Sequence, residues 1–291
     1  MNYGKKEASR ISWMLGCALL FSMLLQLLSG FLSEDGDARG TGYMLLVKAV
    51  PLAVFILPAV WGVCRLQRSG ICLPPREQRA HLNKRLAIML STFGVIVIIR
   101  ILYASVFPSA VIRVGVNDGM TATELFLMFC LSTVIPAVSE EIFFRGFFMR
   151  CMRIFRPSLA VLMSALAFAL MSFSVEGFPL YFVTGLLIAM AYTATGSLSA
   201  VIGISFLYKA FEFLEETVDV CMPDSYMLLM RGGLAVCVLL SASGLPYLKE
   251  NMRAFFENDD EKAIPSSYFW TIPTILFVAL AAGIQLLFQT N

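Results

Sequence analysis

The stretch that decides how this sequence folds runs from Leu125 to Phe148, LFLMFCLSTVIPAVSEEIFFRGFF. Its length and apolar character suit a helix that crosses a bilayer, whose hydrocarbon core of about 30 Å needs about 20 residues. Yet it contains Glu140, Glu141 and Arg145. An ionised side chain at such depth costs about 2.5–3.5 kcal/mol on insertion scales, so it must face a bundle interior, a partner or a water-filled cavity. On a helix Glu141 and Arg145 lie one turn apart and can form an ion pair, while Glu140 diverges from Glu141 by about 100°. The pair therefore reads as a site in which Arg145 holds Glu141 ionised and Glu140 is left to act as a base toward water. The competing reading is a buried ion-pair lock that joins helices.

The rest of the chain shares this character. Of its 291 residues 58% are hydrophobic and 14% charged, and the mean hydropathy is +0.78, outside the range of soluble globular domains. A net charge of +2 argues against a nucleic-acid partner, and the chain is too apolar for disorder. The seven cysteines show no CxxC pairs or regular spacing and read as small core residues, not as a disulfide framework or a zinc site.

Further runs meet the same length ruler: Ile11–Leu32, Met44–Cys64, Leu86–Phe107, Ser158–Phe178, Met227–Leu248 and Tyr268–Phe288. The apolar stretch from Pro179 to Phe213 is too long for one crossing, and Thr195-Gly196-Ser197 divides it into two shorter helices. The expectation is an all-α polytopic membrane protein with nine helices, a single integral membrane domain over 1–291 without an internal repeat. Lys5, Lys6 and Arg10 precede the first run, but the run is too long for a signal peptide and no small-residue cleavage site follows it. With the amino end in the cytoplasm, fifteen Lys and Arg fall on the cytoplasmic side, among them Arg65, Arg68, Arg76, Arg79, Lys84, Arg85, Arg150, Arg153, Arg156 and Lys262. The other side keeps Arg39 and Arg113 and is decorated by Asp35, Asp37, Glu215, Glu216, Asp219 and Asp224. Short basic loops of this kind suit a bacterial plasma membrane. The stretches Arg65–Arg85 and Lys249–Ser267 read as loops, each too short to form a soluble domain.

Other cations lie within the spans. Lys48 and Arg231 are near span ends, where a long side chain snorkels to the interface. Arg100 sits deeper and reads as a counter-ion for a neighbouring helix, without chemistry of its own. Gly185 and Ala189, at small-xxx-small spacing, read as a helix contact.

The string Glu140-Glu141-Ile142-Phe143-Phe144-Arg145-Gly146 resembles the EExxxR motif of the CPBP family, the CAAX-protease and bacteriocin-processing proteins. Ser164–Ser172 (SALAFALMS) resembles the family's second motif segment and Thr195–Lys209 (TGSLSAVIGISFLYK) its third. The resemblance covers about 125–213, with 1–124 and 214–291 as surrounding transmembrane helices. It implies an all-helical intramembrane endopeptidase acting on membrane-embedded or lipidated peptides. Glu140 would activate water and Glu141 would pair with Arg145, while a His in each later motif and an Asn or Asp polarise the scissile carbonyl.

The sequence departs from that pattern at each later motif. The family's FxxxH appears as Phe168 followed by Ser172, and its HxxxN or HxxxD as Ser205 and Lys209. The single histidine, His81, falls in the basic loop. Carboxylates and hydroxyls alone match zinc poorly, so neither a metal nor another cofactor is expected. A lost oxyanion donor costs about 10²–10³-fold, and positioned acid–base groups contribute about 10²–10⁴-fold. Lys209 is expected to neutralise Glu140, closing a network of two carboxylates and two cations that is catalytically quiet. A Ser205–Lys209 dyad is a weaker reading, because a Lys beside two Glu is held protonated. The functions in view are a peptidase with weak catalysis, an inactive pseudoprotease that binds a membrane peptide, lipid or partner protein, and a transporter. The last lacks interrupted helices in matching halves.

Overall fold

The computed structural model describes residues 4–34, 41–70, 80–110, 114–117, 119–257 and 265–289. Among the described residues nine long helices make up the fold and no strand occurs. They are α1 (Lys5–Glu34), α2 (Thr41–Arg68), α3 (Leu82–Val106), α4 (Ala122–Met152), α5 (Pro157–Leu170), α6 (Phe178–Thr195), α7 (Leu198–Cys221), α8 (Pro223–Glu257) and α9 (Ile272–Gln289). Among the described residues, five helical segments are long and apolar enough to cross a membrane: Lys5–Leu28, Leu82–Val106, Ala122–Met152, Phe178–Thr195 and Pro223–Gly244. Arg39, Arg76, Arg79, Arg113, Lys262, Asp35 and Asp37, all used in the charge tally, lie outside the described residues, as does the side chain of Lys48.

Several boundaries differ from the sequence expectation, each for a local reason. The run Ser158–Phe178 was expected as one helix, but α5 stops at Leu170 and Ser172 falls in the turn that follows, where Phe173 has φ 50°. The Ser172 amide closes onto the Ala169 carbonyl (3.2 Å) and the Phe173 amide onto that of Leu170 (3.4 Å), and the carbonyls of this helix end also find partners on distant helices. Gln26 of α1 donates to the Met171 carbonyl (2.8 Å), and Gln285 of α9 to those of Ala169 and Leu170 (3.3 Å each). An open carbonyl in hydrocarbon costs several kcal/mol, so the local turn and these two glutamines together let a helix end inside the bundle. The second half of the Pro179–Phe213 stretch extends to Cys221, which places Glu215, Glu216 and Asp219 on α7 and not in an outer loop. α8 begins at Pro223 and continues to Glu257, so the first part of the loop expected from Lys249 is helical, and 258–264 lie outside the described residues. The break between α6 and α7 falls where the sequence places it: Gly196 has φ 60°, the left-handed conformation that ends a helix most readily at glycine.

α4 carries the local irregularity that shapes the site. Its start is fixed by a capping box, with Thr121 Oγ1 accepting from the Glu124 amide and the Glu124 carboxylate accepting from the Thr121 amide. It widens into π-helical turns at Cys130–Val134 and Ile142–Met149. Pro136 follows the first of these; it lacks the N–H for the bond four residues back, and the wider turn absorbs the ring's clash with the preceding turn. The second begins immediately after Glu141.

Small residues let the helices approach closely, as apolar packing in lipid requires. Along the α3–α8 contact a Cβ on Gly94 would stand 2.6 Å from the Cys237 carbonyl oxygen, and one on Gly244 would collide with that of Ala87. Ser91 donates to the Ser241 carbonyl (2.8 Å) between them. Replacing Gly94 by Val is therefore expected to cost about 1–3 kcal/mol through overpacking and to lower the melting temperature of the purified protein. Gly232→Ala on α8, where a Cβ meets open space, should leave it nearly unchanged, and equal melting temperatures for the two variants would contradict this packing.

Candidate active site

The polar groups of α4 meet those of α7 across a cavity of about 310 Å³. Glu140, Phe144, Phe168, Ser172, Thr184, Ser205, Tyr208, Lys209 and Glu212 are among the residues that line it, so the turn after α5 and the helices α4, α6 and α7 all contribute to its wall. Val54 and Phe55 of α2, and Val114 of the segment before α4, close other sides.

Glu141 lies behind this wall with no exposed surface, and so does Arg145. One oxygen of Glu141, Oε1, accepts from Arg145 Nη1 (3.3 Å) and from the Ser205 hydroxyl (2.6 Å). Arg145 Nη2 donates to the Gly185 carbonyl (2.9 Å). Glu141 Oε2 and Arg145 Nε are buried without a hydrogen-bond partner among the described residues, so the ion pair is not a two-pronged fork. The guanidinium is also covered by rings, 5.2 Å from the Phe168 centroid and 5.7 Å from that of Phe144, and these rings pack edge to face at 5.4 Å. Phe168, which the sequence marked only as a motif position, thus covers the buried cation. Gly185 does more than form the expected helix contact. A Cβ there would stand 3.0 Å from the Phe168 ring and 3.2 Å from the Ala165 backbone, so its lack of a side chain preserves both the α5–α6 packing and the ring over Arg145.

Glu140 turns the other way, into the cavity, where Lys209 Nζ donates to its Oε1 at 3.1 Å; the two side chains are 13% and 18% exposed. Ser172 reaches the same cavity, but its hydroxyl donates to the Ala169 carbonyl (2.7 Å). Glu140, Ser172, Ser205 and Lys209 are therefore brought to one cavity, with Glu141 and Arg145 directly behind. His81 is not part of it: it is exposed at the start of α3, and the neighbouring Ala80 amide bonds the Thr195 carbonyl at the α6–α7 junction. Among the described residues no three His, Cys, Asp or Glu side chains form a group able to hold a metal ion.

A second charged cluster adjoins the first. Arg100 of α3 donates to Glu212 (2.6 Å), Glu215 (2.9 Å) and the Tyr208 hydroxyl (3.4 Å), all on α7. The counter-ions of Arg100 are thus Glu215, first assigned to a loop, and Glu212, which lines the cavity and was not singled out from the sequence. The signal for Glu212 was its spacing of seven residues from Ser205, two turns along one helix face. Glu216 accepts from the backbone amides of Val114, Gly115 (2.7 Å) and Val116 (2.8 Å), anchoring the segment that carries Val114 to the cavity rim. Arg231 is exposed on α8.

Fold and site together define a helical membrane core built around a buried Glu-Glu-x-x-x-Arg element. Residues 122–211 match the family model described as type II CAAX prenyl endopeptidase Rce1-like. The matched segment contains Glu140, Glu141, Arg145, Ser172, Ser205 and Lys209, and this is a CAAX-protease-like core within an all-α membrane protein. No curated protein and no solved structure matches the chain.

Removing one member of the buried pair strands the other charge, which costs about 3–5 kcal/mol, whereas replacing both by apolar groups of similar size costs much less. Glu141→Gln and Arg145→Met are each expected to lower thermal stability strongly, and the Glu141→Gln/Arg145→Met double variant to recover part of the loss. Additive losses in the cycle would show that the two side chains are not coupled.

Proposed function

We propose that this chain is a CAAX-protease-like membrane protein whose catalytic centre is disarmed and whose cavity binds a membrane-embedded or lipidated peptide. The observation that carries this reading is the 3.1 Å bond from Lys209 to Glu140. In this reading Glu140 would be the water-activating base, with Glu141 and Arg145 as its supporting ion pair. A base needs a free lone pair aimed at water, and here one oxygen of the carboxylate already holds an ammonium.

The hydroxyls that replace imidazole support the same reading. A serine has one hydrogen to donate. That of Ser205 goes to Glu141 and that of Ser172 to a helix-end carbonyl, so neither is directed at a developing oxyanion. Neither serine has a histidine beside it to make it a nucleophile, and the carboxylate that Ser205 meets is already paired with Arg145. What remains is a pocket whose apolar wall includes Phe55, Phe144, Phe168 and Ile188, and whose polar side is internally neutralised. Such a pocket suits an apolar chain or a peptide in extended form. The amino end in the cytoplasm and a bacterial plasma membrane belong to the same proposal, on the distribution of Lys and Arg.

The test is cleavage and binding measured side by side. The purified protein should cleave no farnesylated or transmembrane model peptide, yet should retain such a peptide in photocrosslinking, and a bulky Thr184→Trp change inside the cavity should reduce the crosslink. The Ser172→His/Ser205→His variant should stay inactive while Lys209 remains, and adding Lys209→Asn should allow cleavage that Glu140→Gln abolishes. Cleavage by the unaltered protein, lost in Glu140→Gln, would instead establish an active peptidase.

A further inference from the structure

A second concavity lies away from this site, where the beginning of α1 meets the end of α2. It has a volume of about 620 Å³ and is lined by Arg10, Arg65, Arg68, Trp13, Trp61 and Leu66, among others. No carboxylate lines it, and among the described residues none of the three arginines has an ion-pair partner. The neighbouring acid on α1, Glu7, accepts from the Gly4 amide (2.9 Å). Three arginines therefore line one cleft with no acid among the described residues to answer their charge.

Simpler accounts explain only part of this. Cations in the last turn of a helix are favoured by its dipole, which covers Arg65 and Arg68 of α2 but not Arg10, which comes from the first turns of α1. Like charges placed together repel, so their convergence without an acid calls for a polyvalent anion. The two tryptophans, 55% and 42% exposed, are the side chains that favour the headgroup level of a bilayer, and Leu66, 3% exposed, gives the cleft an apolar floor. A guanidinium binds the oxygens of a phosphoryl group in a forked geometry, and basic pockets between membrane helices take anionic headgroups in this way.

We infer that the Arg10–Arg65–Arg68 cleft between α1 and α2 is a binding site for a phosphoryl anion, supplied by the headgroup of an anionic phospholipid or by free phosphate. The tryptophans and the apolar floor match the glycerol and upper acyl region of a lipid, whereas the arginines alone would serve free phosphate.

Thermal unfolding of the purified full-length chain in detergent tests this, with phosphatidylglycerol, phosphatidylcholine or millimolar inorganic phosphate added. Phosphatidylglycerol is expected to raise the melting temperature by about 2 °C or more where phosphatidylcholine does not. The Arg10→Gln/Arg65→Gln/Arg68→Gln variant should lose that shift and retain at least about tenfold less phosphatidylglycerol in native mass spectrometry, since each cation contributes severalfold. The corresponding triple Lys variant should keep part of the shift, and Arg231→Gln on α8 all of it. A shift with inorganic phosphate alone that matches the lipid's and vanishes in the triple Gln variant upholds the site and assigns it to free phosphate. The proposal is overturned if neither phosphatidylglycerol nor phosphate shifts the protein, or if the triple Gln variant responds as the unaltered chain does. Should the triple Gln variant unfold on purification, the triple Lys variant and single Gln variants carry the same comparison.

Discussion

A carboxylate buried in hydrocarbon must be answered within reach of its oxygens, and Glu141, with no exposed surface, imposes that demand most strongly on this fold. The answer comes from one turn along its own helix, Arg145, and from a hydroxyl on α7, Ser205. Arg145 in turn requires an acceptor and a cover. It finds the acceptor in the Gly185 carbonyl of α6 and the cover in Phe144 and Phe168. Four helices are tied by this chain of requirements, and the positions in it that look unremarkable, a glycine and a phenylalanine, are those that leave room for a buried guanidinium.

The other half of the arrangement belongs to α7. Ser205, Lys209, Glu212 and Glu216 succeed one another at spacings of three or four residues and so share a face. Each meets something different: Glu141, Glu140, Arg100 and the backbone amides around Gly115. Along one helix the polar contacts run from the centre of the bundle to the rim of the cavity. The same face therefore neutralises the acids of α4, anchors α3 and holds the segment that carries Val114. A substitution on it reaches the cavity even where it touches neither glutamate.

Much of this was legible from spacing and polarity. Two acids and an arginine in an apolar run announce a buried pair, because no other arrangement of such a run is tolerated in lipid. The Thr195-Gly196-Ser197 break could be read because a left-handed glycine is a local signal. What could not be read depends on groups far apart in sequence. Where α5 ends, glutamines from α1 and α9 join Ser172 and the Phe173 amide in completing its last carbonyls, and nothing within residues 157–178 announces those distant partners. Glu215 and Glu216 looked like loop residues because charge is the usual mark of a loop. Arg100, one helix away, draws Glu215 into the bundle, and the amides of Val114, Gly115 and Val116 hold Glu216. The tie from Lys209 to Glu140 was expected from electrostatics alone, whereas the use of Ser205 by Glu141 was not.

Catalysis requires interactions that strengthen on passing from substrate to transition state; interactions equal in both give affinity without rate. The features that would differ between the two states are a base free to take a proton and donors aimed at a forming oxyanion. In this cavity those same atoms are engaged with one another: the Glu140 oxygen with an ammonium, the Ser205 hydrogen with Glu141, the Ser172 hydrogen with a carbonyl. The apolar walls, Phe55, Phe144, Phe168 and Ile188 among them, make no such distinction, since apolar contact is the same in both states. In the proposed reading, having hydroxyl and amine where the resembled motifs carry imidazole removes the rate-giving terms and leaves the affinity-giving ones.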